Sequence, residues 1–249
     1  RALTILPGGH GYLSSVAWVA GGRQLVAASE DGGVLRWDSE RGERLPGPTG
    51  SASSQPPSPG ALSAISVSPD GQILAACGLD GRLHLRTLGS PPQSEAPQQA
   101  PGGAIYSCAF SPDGSLLASG GDGQILLWDL GAEPLLQRLR RPLKALTLAA
   151  MPDGQQLMIG DLEGGLHRWW LSQTRPEPSR PLHRGAVQAL ASSPDGSLLA
   201  TAGSDGSIAV LQGPALSPRH PSLRLTSARG AATALAISPR GGLLAAGYA

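Results

Sequence analysis

Cysteine and aromatic side chains are scarce in this sequence. Its 249 residues include two cysteines and one phenylalanine, and aromatics make up 4%. Cys77 and Cys108 exclude a disulfide-dense framework, and no spacing around them resembles a zinc site. Each lies in an apolar, strand-like run, "ILAACG" and "IYSCAF", so they read as buried free thiols in a reducing, cytoplasmic compartment. With so few aromatics, a core has to rest on Leu, Ala, Val and Ile. No apolar run approaches the ~18–20 residues a membrane helix needs. A formal net charge of +1 gives no global pull toward nucleic acid or acidic membranes. The chain carries no signal-peptide pattern and begins at Arg1 rather than Met, so it reads as an excised piece of something longer. It lacks a G-x-S-x-G elbow, a P-loop, an H-E-x-x-H and a G-x-G-x-x-G opening a helix. No catalytic residue, cofactor, metal or small-molecule substrate is therefore assigned.

What the sequence has in quantity is turns. Glycine at 35 and proline at 23 stand beside 40% apolar residues, too apolar for a disordered chain. The turns recur in one pattern. "SPDGSLLASGGDGQILLWDL" (Ser111 to Leu130) joins a Pro-Asp-Gly turn, an apolar run, an Asp-Gly turn and a Trp-Asp. Related copies start at Ala20, Ser68, Met151 and Ser193, and a last one runs from Ser238 to the end. The turn glycines Gly22, Gly71, Gly114, Gly154, Gly196 and Gly241 are separated by 49, 43, 40, 42 and 45 residues. A period of ~40–45 residues ending in Trp-Asp predicts four-stranded propeller blades.

Within a unit, an inner strand such as "AVQALASS" precedes the Pro-Asp-Gly turn, and a second strand such as "SLLAT" follows it. The third, such as "QILLWDL", follows the Asp-Gly turn. A more polar fourth strand closes the unit, as in "ERLPG", "LLQRL" and "LRLTS", as suits an outer edge. One such sheet cannot bury both faces alone, whereas stacking blades covers each against a neighbour. Ala17, Ala109 and Ala189 suit the narrow centre of a ring. The expected architecture is all-β, a single propeller over residues 1–249 with blades near 10–47, 61–88, 104–139, 143–182, 183–227 and a partial sixth at 231–249.

These repeats resemble the WD-repeat β-propeller family over nearly the whole chain. The resemblance implies a rigid, non-catalytic platform for other macromolecules, with a hydrogen-bonded tetrad of His, Ser/Thr, Asp and Trp in each blade. That tetrad carries over in pieces. The first unit has His10, Asp31 and Trp37 with Ala27 at the hydroxyl slot. The third has Ser119, Asp122 and Trp128 without a His. The fifth has His183, Thr201 and Asp205 with Leu211 at the Trp slot. The second and fourth keep little more than Asp80 and Trp169. Arg1–Leu6 holds the place of an outer strand, expected to pair with the C-terminal sheet containing Leu243–Gly247.

Other features read blandly. Residues 42–60 and 88–103 are rich in Pro and form spacers, the second displacing any orderly fourth strand of its blade. His84 and His167 belong to blades too far apart to share a metal and read as surface side chains. The Asp-Gly turns each carry a lone carboxylate, whereas calcium needs 6–8 oxygens. Arginines in 137–144 and 219–240 offer a nucleic-acid-binding alternative, disfavoured because no aromatics are interleaved with them.

The expectation is thus a scaffold or sensor propeller for a protein or peptide partner. Compositional bias and the missing flanks place it in a larger, bacterial, multidomain signalling protein. The resemblance places the partner face on the loops entering each inner strand and on the second turns. Those slots hold Tyr12, Glu30, Leu79, Tyr106, Lys144, Leu162, Gln188 and Ser204. Tyr12, Tyr106, Leu79 and Leu162 are expected to ring one face, since Tyr is enriched at interface hot spots.

Overall fold

The computed structural model describes residues 12–19, 22–46, 61–88, 98–100, 102–130, 137–140, 144–173, 176–212, 223–226, 230–238 and 242–248, and among them there is no helix. The first sheet is β1 (Leu13–Trp18), β2 (Gln24–Ser29), β3 (Val34–Asp38) and β4 (Arg44–Leu45). The second is β5 (Leu62–Val67), β6 (Ile73–Gly78), β7 (Arg82–Thr87) and β8 (Gln98–Gln99). The third is β9 (Ile105–Phe110), β10 (Leu116–Gly121), β11 (Gln124–Asp129) and β12 (Gln137–Arg140). The fourth is β13 (Ala145–Ala150), β14 (Gln156–Asp161), β15 (Gly165–Trp170) and β16 (Arg180–Pro181). The fifth is β17 (Val187–Ser192), β18 (Leu198–Gly203), β19 (Ser207–Gln212) and β20 (Leu223–Thr226), and β21 (Ala232–Ile237) pairs with β22 (Leu244–Tyr248) in the sixth. In all six, strands adjacent in sequence are neighbours in the sheet. β8 corrects one expectation: the Pro-rich connection ends in a two-residue strand paired with β7, so the second blade does have a fourth strand. Arg1–Leu6, and with it the expected closure, lies outside the described residues.

The repeated Ser-Pro-Asp-Gly builds its own corner. Ser68 Oγ donates to Asp70 Oδ1 and accepts from Ile73 N–H, while Gln72 N–H donates to the same carboxylate oxygen. Gly71 N–H donates to Ser68 O, and Gly71 sits at φ 71, where a side chain is disfavoured. The same bonds recur at Ser111–Leu116 and Ser193–Leu198. This corner turns an inner strand into a second strand without help from elsewhere.

The chain divides into two compact units, Arg1–Asp122 with Leu126–Leu136, and Gly123–Ile125 with Gln137–Ala249. In the first, β1 packs beside β5 and β5 beside β9. One seam buries Val26, Ala28, Leu62, Leu74 and Ala76, and the next buries Cys77, Leu83, Phe110, Leu117, Leu126 and Trp128. Alternate positions of each middle strand serve opposite seams, which is the period-2 geometry of a sheet covered on both faces. Both cysteines are buried and unlinked. Polar bonds cross the seams too. Ser15 Oγ accepts from Ile65 N–H, and Arg36 donates to Leu88 O. In the second unit, Met158, Leu166, Leu199 and Leu211 form one seam, and Ala202, Ile208 and Ala232 another. A buried leucine contributes ~1.5–3 kcal/mol, so these aliphatic seams compensate for the scarcity of aromatics.

Candidate functional site

At one end of each blade, the segment entering the inner strand meets the turn between the second and third strands. In the first unit Glu30 N–H donates to Tyr12 O, Leu79 N–H to Ala61 O, and Asp122 N–H to Ala104 O. In the second, Leu162 N–H donates to Lys144 O and Ser204 N–H to Ala186 O. In each sheet the register shifts at this end, between Leu13/Ser15, Leu62/Ala64, Gly120/Gly121, Ala145/Thr147 and Val187/Ala189. Such bulges bend a strand and re-aim its side chains.

The eight residues chosen from the sequence divide between the units. The first unit brings Tyr12, Glu30, Leu79 and Tyr106 to its rim; Tyr12 is 81% exposed and Leu79 50%. Tyr106 is half-buried, and its hydroxyl donates to Asp122 Oδ1 at 3.0 Å. Burial, with Asp122 adding to it, pushes the Tyr106 phenol above its ordinary pKa. The second unit has exposed Leu162, Lys144 and Ser204 with half-buried Gln188. The rim is continuous between the second and third blades. Gln99 Nε2 donates to Asp80 O, and a Cβ on Gly81 would lie 2.5 Å from Gly103 O.

Beneath the rim lie the pieces of the tetrad. In the fifth blade His183, 5% exposed, puts Nε2 2.7 Å from Thr201 Oγ1, and Nδ1 2.7 Å from Ser207 Oγ and 3.4 Å from Asp205 Oδ1. A Cβ on Gly203 would lie 2.4 Å from His183 Nδ1, so glycine makes room for the ring. In the third blade buried Trp128 donates from Nε1 to Ser119 Oγ at 2.8 Å. In the first, Trp37 is buried and Asp31 accepts from Gly33 N–H; His10 lies outside the described residues. Trp169 instead donates to Gln173 O, and the second blade has buried Arg86 in the Trp slot.

His84 and His167 are not surface side chains, contrary to the sequence-based expectation. His84 is 3% exposed on β7, paired with Ala76 of β6. The His167 side chain is 12% exposed and sits 2.7 Å from Asp161, whose other oxygen accepts from Glu163 and Gly165 N–H. Sequence position alone missed Asp161, because it belongs to β14 and meets His167 only through the β14–β15 pairing. Ser207 was missed too, although it directly follows the Asp-Gly turn. Among the described residues no group of three or more His, Cys, Asp or Glu could hold a metal ion.

The profile of the family described as "WD domain, G-beta repeat" matches residues 2–38, 54–86, 96–129 and 177–210, together more than half of the chain. The chain belongs to the WD40 family. Each match ends within the third strand of a sheet, at Asp38, Arg86, Asp129 and Val210, so the profile and the strand pairing mark the same repeat. WD40 propellers generally serve as platforms for protein partners, and five four-stranded antiparallel sheets with a partial sixth fit that fold.

The WD40 tetrad has a consequence for acid stability. Burial opposes ionisation of Asp205, but bonds from the Ser207 hydroxyl, Arg184 N–H and Ser207 N–H, with His183 nearby, outweigh it and bring the pKa from 3.8 to about 2. A lowered folded pKa means the stabilisation is present above the unfolded value and is lost as pH falls through the folded one. Urea denaturation of the wild type should therefore lose ~1–2 kcal/mol between about pH 4 and pH 2 through this group, discounted for solvent screening. Asp205→Asn should flatten that limb, and an unchanged slope would refute the assignment.

Proposed function

We propose that this WD40 chain is a non-catalytic interaction module of a larger, cytoplasmic, multidomain signalling protein, docking a protein or peptide partner on the turn-bearing rim. The observation that carries this is the exposure of Tyr12 and Leu79 on the rim of the first unit, one on a segment entering an inner strand and the other on a second turn. Single exposed leucines are ordinary. Leu79 and Leu162 each occupy the same second-turn position of their own blade, and the first unit's rim adds exposed Tyr12, which favours a surface that something covers. His183, Asp205 and Ser207, residue types that hydrolases use, are engaged with one another and with Thr201, and the Ser and Asp of the Ser-Pro-Asp-Gly corners bond each other. The two unlinked thiols suit a reducing compartment.

The test is calorimetry with a purified partner. Tyr12→Ala combined with Leu79→Ser should weaken binding at least ~tenfold while the melting curve stays cooperative, because both side chains are exposed. Ser115→Ala, on a turn between first and second strands, should leave affinity unchanged. Full affinity in the rim variant would sink the proposal. The nucleic-acid alternative rests on segments 137–144 and 219–240, of which Lys144 alone has a described basic side chain. Salt-dependent retention of RNA or DNA would favour it.

A further inference from the structure

We infer that the rim of the first unit takes a basic peptide, one in which Lys or Arg stands beside a leucine-sized or aromatic residue. This rests on reading the rim as a docking surface and adds the chemistry of the occupant. In a chain of net charge +1, this rim has the opposite sign. Its second turns bring Glu30 and Asp31 from the first blade, Asp80 from the second and Asp122 from the third, and Glu30, Asp31 and Asp122 are exposed. The one cation in these turns is Arg82, 3.9 Å from Asp80. Among the described residues entering the inner strands, 12, 61, 100 and 102–104, none is a lysine or arginine. The rim of the second unit differs, with Lys144 and Arg184 among its acids.

The carboxylates stand among exposed apolar groups. Tyr12 O accepts the Glu30 N–H, so the tyrosine and the acid leave the backbone at one point. Leu79 directly precedes Asp80, and Tyr106 is bonded to Asp122. Exposed charge pairs are individually weak and screened by salt. Affinity must therefore come from apolar contact with Leu79 and the two tyrosines, whose ring faces also attract cations. The carboxylates set the sign of the partner and speed its approach. A polyanion, by the same reasoning, is repelled from this face.

The experiment is fluorescence anisotropy on the 249-residue chain with three labelled peptides of about 12 residues. One combines Lys and Arg with Leu and Tyr, one replaces its cations by Glu, and one keeps the cations but replaces its apolar residues by Ser. The first should bind at least ~tenfold tighter than either other, and several-fold more weakly when NaCl is raised from about 50 to about 500 mM. Glu30→Lys and Leu79→Ser should each cost about fivefold or more, with melting curves confirming that both variants are folded. Tighter binding of the Glu peptide, abolished by Leu79→Ser, would overturn the charge assignment while leaving the rim as a docking surface. Binding of the basic peptide that neither variant disturbs would overturn both. Failure of all three peptides to bind would overturn the peptide assignment, leaving the rim to the partner calorimetry.

Discussion

Truncating Trp128 to alanine is expected to lower the free energy of unfolding by about 3–5 kcal/mol. The side chain is 3% exposed and lies in the seam with Phe110, Leu117 and Leu126 of its own blade and Leu83 and Cys77 of the second. Alanine would leave a cavity bounded by two sheets, which cannot close without shifting one against the other. It would also strand the Ser119 hydroxyl, which accepts from Trp128 Nε1. Trp128→Phe separates the two effects. It keeps most of the packing and loses the bond, for an expected ~1–2 kcal/mol. Trp18 is the contrast, at 60% exposure on β1, and Trp18→Ala should cost less than about 1 kcal/mol. Equilibrium urea denaturation reads all three. A Trp128→Ala midpoint equal to that of the wild type would contradict the seam as described.

The corner sequences were the most legible part of the fold, for a physical reason. Every partner in the Ser-Pro-Asp-Gly corner lies within five residues, from Ser68 to Ile73, so the turn can be read where it is written. Tetrad members were legible only as slots. That Trp128 reaches Ser119 follows from strand pairing and the repeat. That Asp161 captures His167 depends on β14 ending in aspartate where β10 and β18 end in glycine. A second strand that ends in a carboxylate facing a third-strand histidine was the available signal, and repeat spacing obscured it. Arg86 was invisible in the same way. Its slot was found, but nothing local indicates how a guanidinium is held in a seam. At the rim, the repeat slots of Tyr12, Leu79 and Leu162 were legible in the sequence, whereas the Tyr106–Asp122 bond required the bulge that brings the turn back over β9.

That bulge depends on Gly121, and Gly121→Ala should cost about 3 kcal/mol. A Cβ there would lie 1.9 Å from the Ala104 carbonyl oxygen, 2.9 Å from its carbon and 3.1 Å from Ile105 Cα. All three are backbone atoms of the segment leading into β9, so no rotamer change relieves the clash. Elsewhere in a strand, replacing glycine with alanine gains roughly 0.5–1 kcal/mol through chain entropy. Overpacking typically costs 1–3 kcal/mol and occasionally more, and a contact this short with main chain falls at the upper end. The register between β10 and β9 shifts between Gly120 and Gly121, and Asp122 N–H then donates to that same Ala104 oxygen at 3.2 Å. An alanine must push this carbonyl away, which breaks the bond and moves Asp122 from Tyr106. Stability and rim chemistry should therefore fail together: a lower melting temperature and weaker binding of the basic peptide at temperatures where the variant is still folded. Gly242→Ala is the control, since a Cβ there meets nothing within 4 Å, and it should change stability by less than ~0.5 kcal/mol. If Gly121→Ala melts with the wild type, the close approach of β10 to Ala104 is wrong. If it is destabilised yet binds the peptide unchanged, Asp122 has no part in the rim.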